Sequence, residues 1–154
     1  MRKQDKTLKI IWWTYIALLF VFVVVKFKGS FCELTDRISS YSMQDSINYN
    51  LIPFRSMSTQ IEYITQWWAL KNLLGNIIPL IPFGFLLPIT YKKFNSTINV
   101  FCVGLASILL IEIFQFFTKL GSFDVDDIIL NMVGIVCGYL MFLLAKFSIY
   151  KRYR

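Results

Sequence analysis

The sequence predicts an all-α membrane protein, a four-transmembrane-helix bundle, on three grounds: apolar excess, its division into long blocks, and charge that alternates between the connections. Of 154 residues, 56% are hydrophobic and 16% charged, against about 45–50% and about 25% in soluble domains. The excess is concentrated. Residues 10–27, 70–89, 98–117 and 127–147 each approach the roughly 20 apolar residues that a spanning helix needs. Ile10 to Val25 carries no charge, Leu70 to Ile89 only Lys71, Ile98 to Phe117 only Glu112, and Ile128 to Phe147 only Lys146. The whole chain reads as one domain, without internal repeat or low-complexity stretch.

The net charge of +7 does not point to nucleic acid, because of where it sits. The N-terminus holds Arg2, Lys3, Lys6 and Lys9 against Asp5; residues 91–97 hold Lys92 and Lys93; the tail holds Lys146, Lys151, Arg152 and Arg154. The other two connections are acidic on balance, with Glu33, Asp36, Asp45 and Glu62 against Arg37 and Arg55 in 29–69, and Asp124, Asp126 and Asp127 against Lys119 in 118–127. Basic residues flank spans on the cytoplasmic side, so both termini are expected to be cytoplasmic in a bacterial cell membrane. Lys26 and Lys28 oppose this rule and are expected to snorkel to the outer headgroups.

In chain order, the first span has the basic start of a signal peptide, but Val25-Lys26-Phe27-Lys28 offers no small-residue cleavage site, so an uncleaved anchor is expected. Trp12-Trp13 and Trp67-Trp68 stand at the starts of spans one and two, where interfacial aromatics belong. Within the outer loop 29–69, Asn50-Leu51-Ile52-Pro53-Phe54 reads as a re-entrant plug or a turn. After it, Met57, Ile61, Ile64 and Trp68 recur at helical intervals and Thr59 with Glu62 has capping-box spacing, which predicts a short amphipathic helix on the outer surface. Span two contains Pro79, Pro82 and Pro88 with Gly75 and Gly84, and such breaks either bend a helix or mark a binding site.

Depth is the most informative property of the intramembrane polar residues. At about 1.5 Å per residue, Asn72 and Asn76 of span two, Glu112 and Gln115 of span three, and Asp127 and Asn131 of span four all fall within roughly 10 Å of the outer boundary. Each pair has i, i+3 or i, i+4 spacing and so shares a helix face. A carboxylate facing lipid is costly, so these faces should turn inward, and Gly134 with Gly138 would let a neighbouring helix come close. The expected result is a polar cup open to the outside. The asparagines and Gln115 fit ligand contacts or interhelical hydrogen bonds; Glu112 and Asp127 fit a site for a proton, a metal or a ligand hydroxyl. Asp124 and Asp126 suit the helix start electrostatically, and with Asp127 they are candidate ligands for a divalent cation through oxygen.

With no histidine, the chain cannot build a Ser-His-Asp triad, a Cys-His dyad or His-ligated zinc, and no cofactor is predicted. Cys102 and Cys137 fall inside spans and Cys32 in the outer loop, which makes no disulfide framework.

At these residues the sequence resembles the VanZ-like family of bacterial membrane proteins. The likeness rests on Asn72-Leu73-Leu74-Gly75-Asn76 leading into Ile81-Pro82-Phe83-Gly84-Phe85, on Glu112-Ile113-Phe114-Gln115, on Gly121-Ser122-Phe123-Asp124-Val125-Asp126-Asp127, and on Asn131-Met132-Val133-Gly134 with Gly138. Asn50 to Phe54 is similar to a shorter element of the family, and the matching segments run in order over residues 48–145. Many relatives carry an arginine shortly before the first aspartate, where this chain reads Thr118-Lys119-Leu120-Gly121. The resemblance implies a connection with resistance to the glycopeptide teicoplanin, the association of the founding member. Joined to the outward cup, it leads to the expectation of an envelope protein that contacts the bilayer and holds a lipid-linked cell-wall precursor or a lipoglycopeptide at the outer leaflet. The alternative is a membrane enzyme acting on a lipid-linked substrate with Glu112 and Asp127 as acid and base or as metal ligands. Ion transport fits least, since the inner halves of the spans are almost devoid of polar residues.

Overall fold

The computed structural model describes residues 3–24, 36, 39 and 49–152. Lys26, Lys28, Cys32, Arg37 and the acids Glu33 and Asp45 lie outside the described residues. Helix α1 (Lys3–Leu19) continues into a turn of π-helix (Phe20–Val24). Strand β1 (Tyr49–Asn50) leads to α2 (Arg55–Glu62). The second hydrophobic block comprises α3 (Trp67–Ile77), a 3₁₀ turn (Ile78–Leu80) and α4 (Ile81–Thr90). A short 3₁₀ turn (Lys92–Phe94) joins it to α5 (Thr97–Phe117), and β2 (Phe123–Asp124) precedes the long α6 (Val125–Arg152). Four helical stretches, Asp5–Val23, Trp67–Thr90, Thr97–Phe117 and Val125–Ile149, are long and apolar enough to cross a membrane, in agreement with the four expected blocks.

The bundle has the polarity of a body solvated by lipid. Large apolar side chains such as Leu110 and Phe117 are 68% and 77% exposed, whereas Glu112, on the same helix, is 2% exposed. Lipid tails give apolar side chains no reason to hide, so packing and polar contacts decide which faces meet.

Glycine decides the closest contact. A Cβ at Gly84 would overlap the Ile135 carbonyl oxygen, one at Gly138 the Ile81 carbonyl oxygen, and one at Gly134 the Ile77 carbonyl oxygen. The second and fourth spans thus touch backbone to backbone along the predicted small-residue face.

The proline-rich stretch resolves into local geometry. Pro79 and Pro82 occupy first-turn positions of the 3₁₀ turn and of α4, where proline is best tolerated. The Ile78 carbonyl, deprived of its usual partner by Pro82, accepts from the Ile81 N–H. From the first span, Tyr15 Oη donates to the Pro79 carbonyl at 2.7 Å. Pro88 lies inside α4.

Three expectations are corrected. Trp12 is buried among rings of the second span, with centroids 5.3 Å from Phe83 and 5.9 Å from Tyr91, while Trp13 points outward; an indole with bundle neighbours packs there rather than at an interface. The capping box at Thr59 and Glu62 does not form, because α2 begins four residues earlier, at Arg55. Trp68, read as part of the surface helix, belongs to α3, after a break at 63–66. The amphipathic helix itself is present as α2.

Replacing Gly84 or Gly138 by valine should prevent assembly of the native bundle, since the overlap is with backbone rather than a movable side chain; overpacking costs about 1–3 kcal/mol even where relaxation is possible. Gly75→Ala, with nothing within 4 Å of the added carbon, should match or exceed wild-type stability. Monodisperse yield and thermal unfolding in detergent would distinguish the two classes.

Candidate ligand-binding site

Between the spans, at the end of the bundle that carries α2, lies a cavity of about 600 Å³, within the usual range of ligand pockets. Every span contributes to it. Phe22 and Val23 come from the π-helical turn, Asn72 and Asn76 from α3, Glu112 and Gln115 from α5, and Asp127 and Asn131 from α6. The six residues singled out from helical spacing and depth are therefore neighbours around one space. Lys71 and Gly75 add to the α3 wall, and Ser122 with Asp124 closes the turn between α5 and α6.

Hydrogen bonds fix the walls. Asn76 Nδ2 donates to Asp127 Oδ1 at 2.6 Å, linking the second and fourth spans. Gln115 Nε2 donates to the Val23 carbonyl at 2.6 Å, linking the third span to the first where that helix widens into its π-turn. Glu112 is almost fully buried, and its Oε2 accepts a long hydrogen bond, 3.5 Å, from the Asp124 N–H at the start of the fourth span. The positive end of a helix dipole favours a carboxylate there.

The carboxylates ahead of the fourth span attach the segment that covers this end. Strand β1 pairs in parallel with β2, Tyr49 opposite Phe123 and Asn50 opposite Asp124. Asp124 Oδ1 accepts from Asn50 Nδ2 at 3.0 Å and Oδ2 from Ser56 Oγ at 2.6 Å, while the Asp126 N–H closes a turn onto Asp124 Oδ1 at 2.9 Å. Asp126 is 0% exposed. Its two oxygens accept the backbone N–H groups of Phe54 at 2.5 Å and Met57 at 2.9 Å. Phe54 has φ 67° and offers no side-chain cap, so a carboxylate from α6 caps α2 across 72 residues of sequence. Residues 51–54 form a turn with Leu51, Ile52 and Phe54 exposed. From α2, Ser56 and Gln60 face the cavity.

Asp124 and Asp127 line the cavity and Asp126 does not. Among the described residues, no three acidic or cysteine side chains converge as a metal-holding group; the oxygens of Asp124 and Asp126 are engaged by protein donors. Sequence reasoning missed Gln60, Ser56 and Asn50. The Ser56–Gln60 spacing of four was a readable signal, but the apolar face of the same helix hid it.

A profile of the VanZ/LLP1 family matches residues 12–146. The chain belongs to this family. Together with the four apolar helices, that makes it a multi-pass membrane protein. It is 30% identical over 91 residues to Protein VanZ of Enterococcus faecium, and this match covers 57% of the chain and 56% of the enterococcal protein, little more than half of its length. No solved structure matches.

Asp126→Asn would set an amide N–H₂ against backbone N–H donors. Hydrogen bonds to charged groups contribute about 1.5–3 kcal/mol, so hydrogen exchange at Phe54 and Met57 should accelerate about tenfold or more, while the core of α6 stays protected. Unchanged exchange over 54–62 would remove Asp126 as the anchor of α2.

Proposed function

We propose that this VanZ/LLP1 protein resides in the bacterial cell membrane with both termini cytoplasmic and holds the polar headgroup of a lipid-linked envelope ligand in its outward-facing cavity. The observation that carries the reading is the meeting of Asn72, Asn76, Glu112, Gln115, Asp127 and Asn131 around one space at one end of four lipid-facing helices. The basic tails and the Lys92–Lys93 connection support the orientation, since they flank the opposite end. Likeness to Protein VanZ supports a role in susceptibility to glycopeptides such as teicoplanin, by retaining a cell-wall precursor or by altering how a lipid-bearing antibiotic settles on the membrane.

A second reading has one observation in its favour. Glu112 and Asp127 share the cavity, as an acid and base acting on a lipid-linked substrate would. It is separated from the first by turnover: purified protein that converts such a substrate, and loses conversion in Glu112→Gln, is an enzyme.

Orientation is checked in a background lacking the native cysteines. A cysteine at Ser122 should react with impermeant maleimide in intact cells, and one at Lys92 only after permeabilisation. The opposite pattern would place the cavity on the cytoplasmic side. For function, expression in a sensitive Gram-positive host should raise the inhibitory concentration of teicoplanin, and Glu112→Gln or Asp127→Asn at matched membrane level should return it to the vector control. Full protection by both variants would remove the carboxyl groups from the mechanism.

A further inference from the structure

The cavity wall carries two buried acceptors without a donor. Asn131 is 3% exposed and Gln60 9% exposed, and both line the cavity. Neither Asn131 Oδ1 nor Gln60 Oε1 has a hydrogen-bond partner within the protein. A buried acceptor left without a donor retains its full desolvation penalty, so both oxygens call for a donor from outside the chain. They belong to different elements, α6 beneath and α2 above, and face the same space.

No donor among the described residues reaches either oxygen. Asn76 Nδ2 gives a hydrogen bond to Asp127, Gln115 Nε2 one to the Val23 carbonyl, and the Ser56 hydroxyl one to Asp124. Lys71 and Asn72, which line the same space, are exposed. The ionisable lining is likewise one-sided, with Glu112, Asp124 and Asp127 against Lys71. Described residues add no arginine to this wall.

We infer that the cavity selects a headgroup carrying a primary ammonium. This rests on the reading of the cavity as a headgroup site and names the chemistry it takes. An ammonium brings three N–H donors and no acceptor, and its charge strengthens hydrogen bonds to amide oxygens and carboxyl groups. A hydroxyl brings one donor, too few for both oxygens, together with two lone pairs. A quaternary ammonium brings charge without donors, and a phosphate monoester brings acceptors and the wrong sign.

The test uses the purified full chain in detergent and calorimetric titration with four short-chain probes of one acyl composition: phosphatidylethanolamine, phosphatidylcholine, phosphatidic acid and glucosyl diacylglycerol. The first two differ at the ammonium alone, three N–H donors against three methyl groups. Phosphatidylethanolamine should bind about tenfold or more tightly than each of the others. Gln60→Met and Asn131→Leu should each bring it near parity with phosphatidylcholine while the thermal unfolding of the protein is retained. Gln60 lies on α2, outside the bundle core, so its variant reads the donor requirement even if Asn131→Leu does not fold. Equal binding of phosphatidylcholine or the glucosyl lipid, or preference for phosphatidic acid, would overturn the ammonium assignment and leave a headgroup site standing. If none of the four bound, the headgroup reading would fall with it. Free ethanolamine at equal affinity to its lipid would keep the ammonium and remove the lipid.

Discussion

The contact between the second and fourth spans sets the geometry of everything around it. At Gly84, Gly134 and Gly138 each missing side chain is replaced by a carbonyl of the opposite helix. Backbones so close hold both helices in one axial register, since a slide by one residue would bring a Cβ against a carbonyl. That register sets Asn76 beside Asp127 at hydrogen-bonding distance. The third span then joins along α6, where Gly104 meets the Ile135 side chain. The first joins through Tyr15 and the carbonyl of Val23. The cavity lies between the helices at the end of the bundle beyond the Gly134–Ile77 contact, and all four spans line it.

The prolines serve the same arrangement. A straight helix from Trp67 to Thr90 would require regular hydrogen bonds through Pro79 and Pro82, which have no N–H to give. The 3₁₀ turn at Ile78–Leu80 shifts each proline into the first turn of a new segment, and a tyrosine from another span donates to a carbonyl of that turn, at Pro79. In lipid such a partner must come from the protein itself. The 3₁₀ turn is therefore where span one is fastened to span two, and Asn72 and Asn76 of the cavity sit on the α3 side of it.

Much of this was legible because helical order is local. Spacings of three and four put Asn72 with Asn76, Glu112 with Gln115 and Asp127 with Asn131 on common faces, and the cost of polar groups in lipid turned those faces toward each other. The Gly134–Gly138 stripe was readable for the same reason. What escaped depends on partners far apart in sequence. Nothing near Asn50 announces a parallel pairing with Asp124, and nothing near Phe54 announces that its N–H is held by Asp126. Asp124 and Asp126 looked like companions of a helix dipole or ligands of a cation, and their side chains also accept from a segment about 70 residues earlier. Trp12 misled for a related reason: a tryptophan at a span's edge has the same sequence signature whether it faces headgroups or, as here, Phe83 and Tyr91.

Asp126 grips its segment by main-chain amides alone. Side chains at Phe54 and Met57 take no part in that attachment; what it requires is an N–H at both positions and, at 54, a residue that tolerates φ 67°. This half of the fastening does not read the side chains of the roof, whereas the Ser56 hydroxyl on Asp124 does. One unchanged foundation can support differently furnished roofs, and a new occupant can be accommodated by rewriting the side chains of α2 that are not used for attachment.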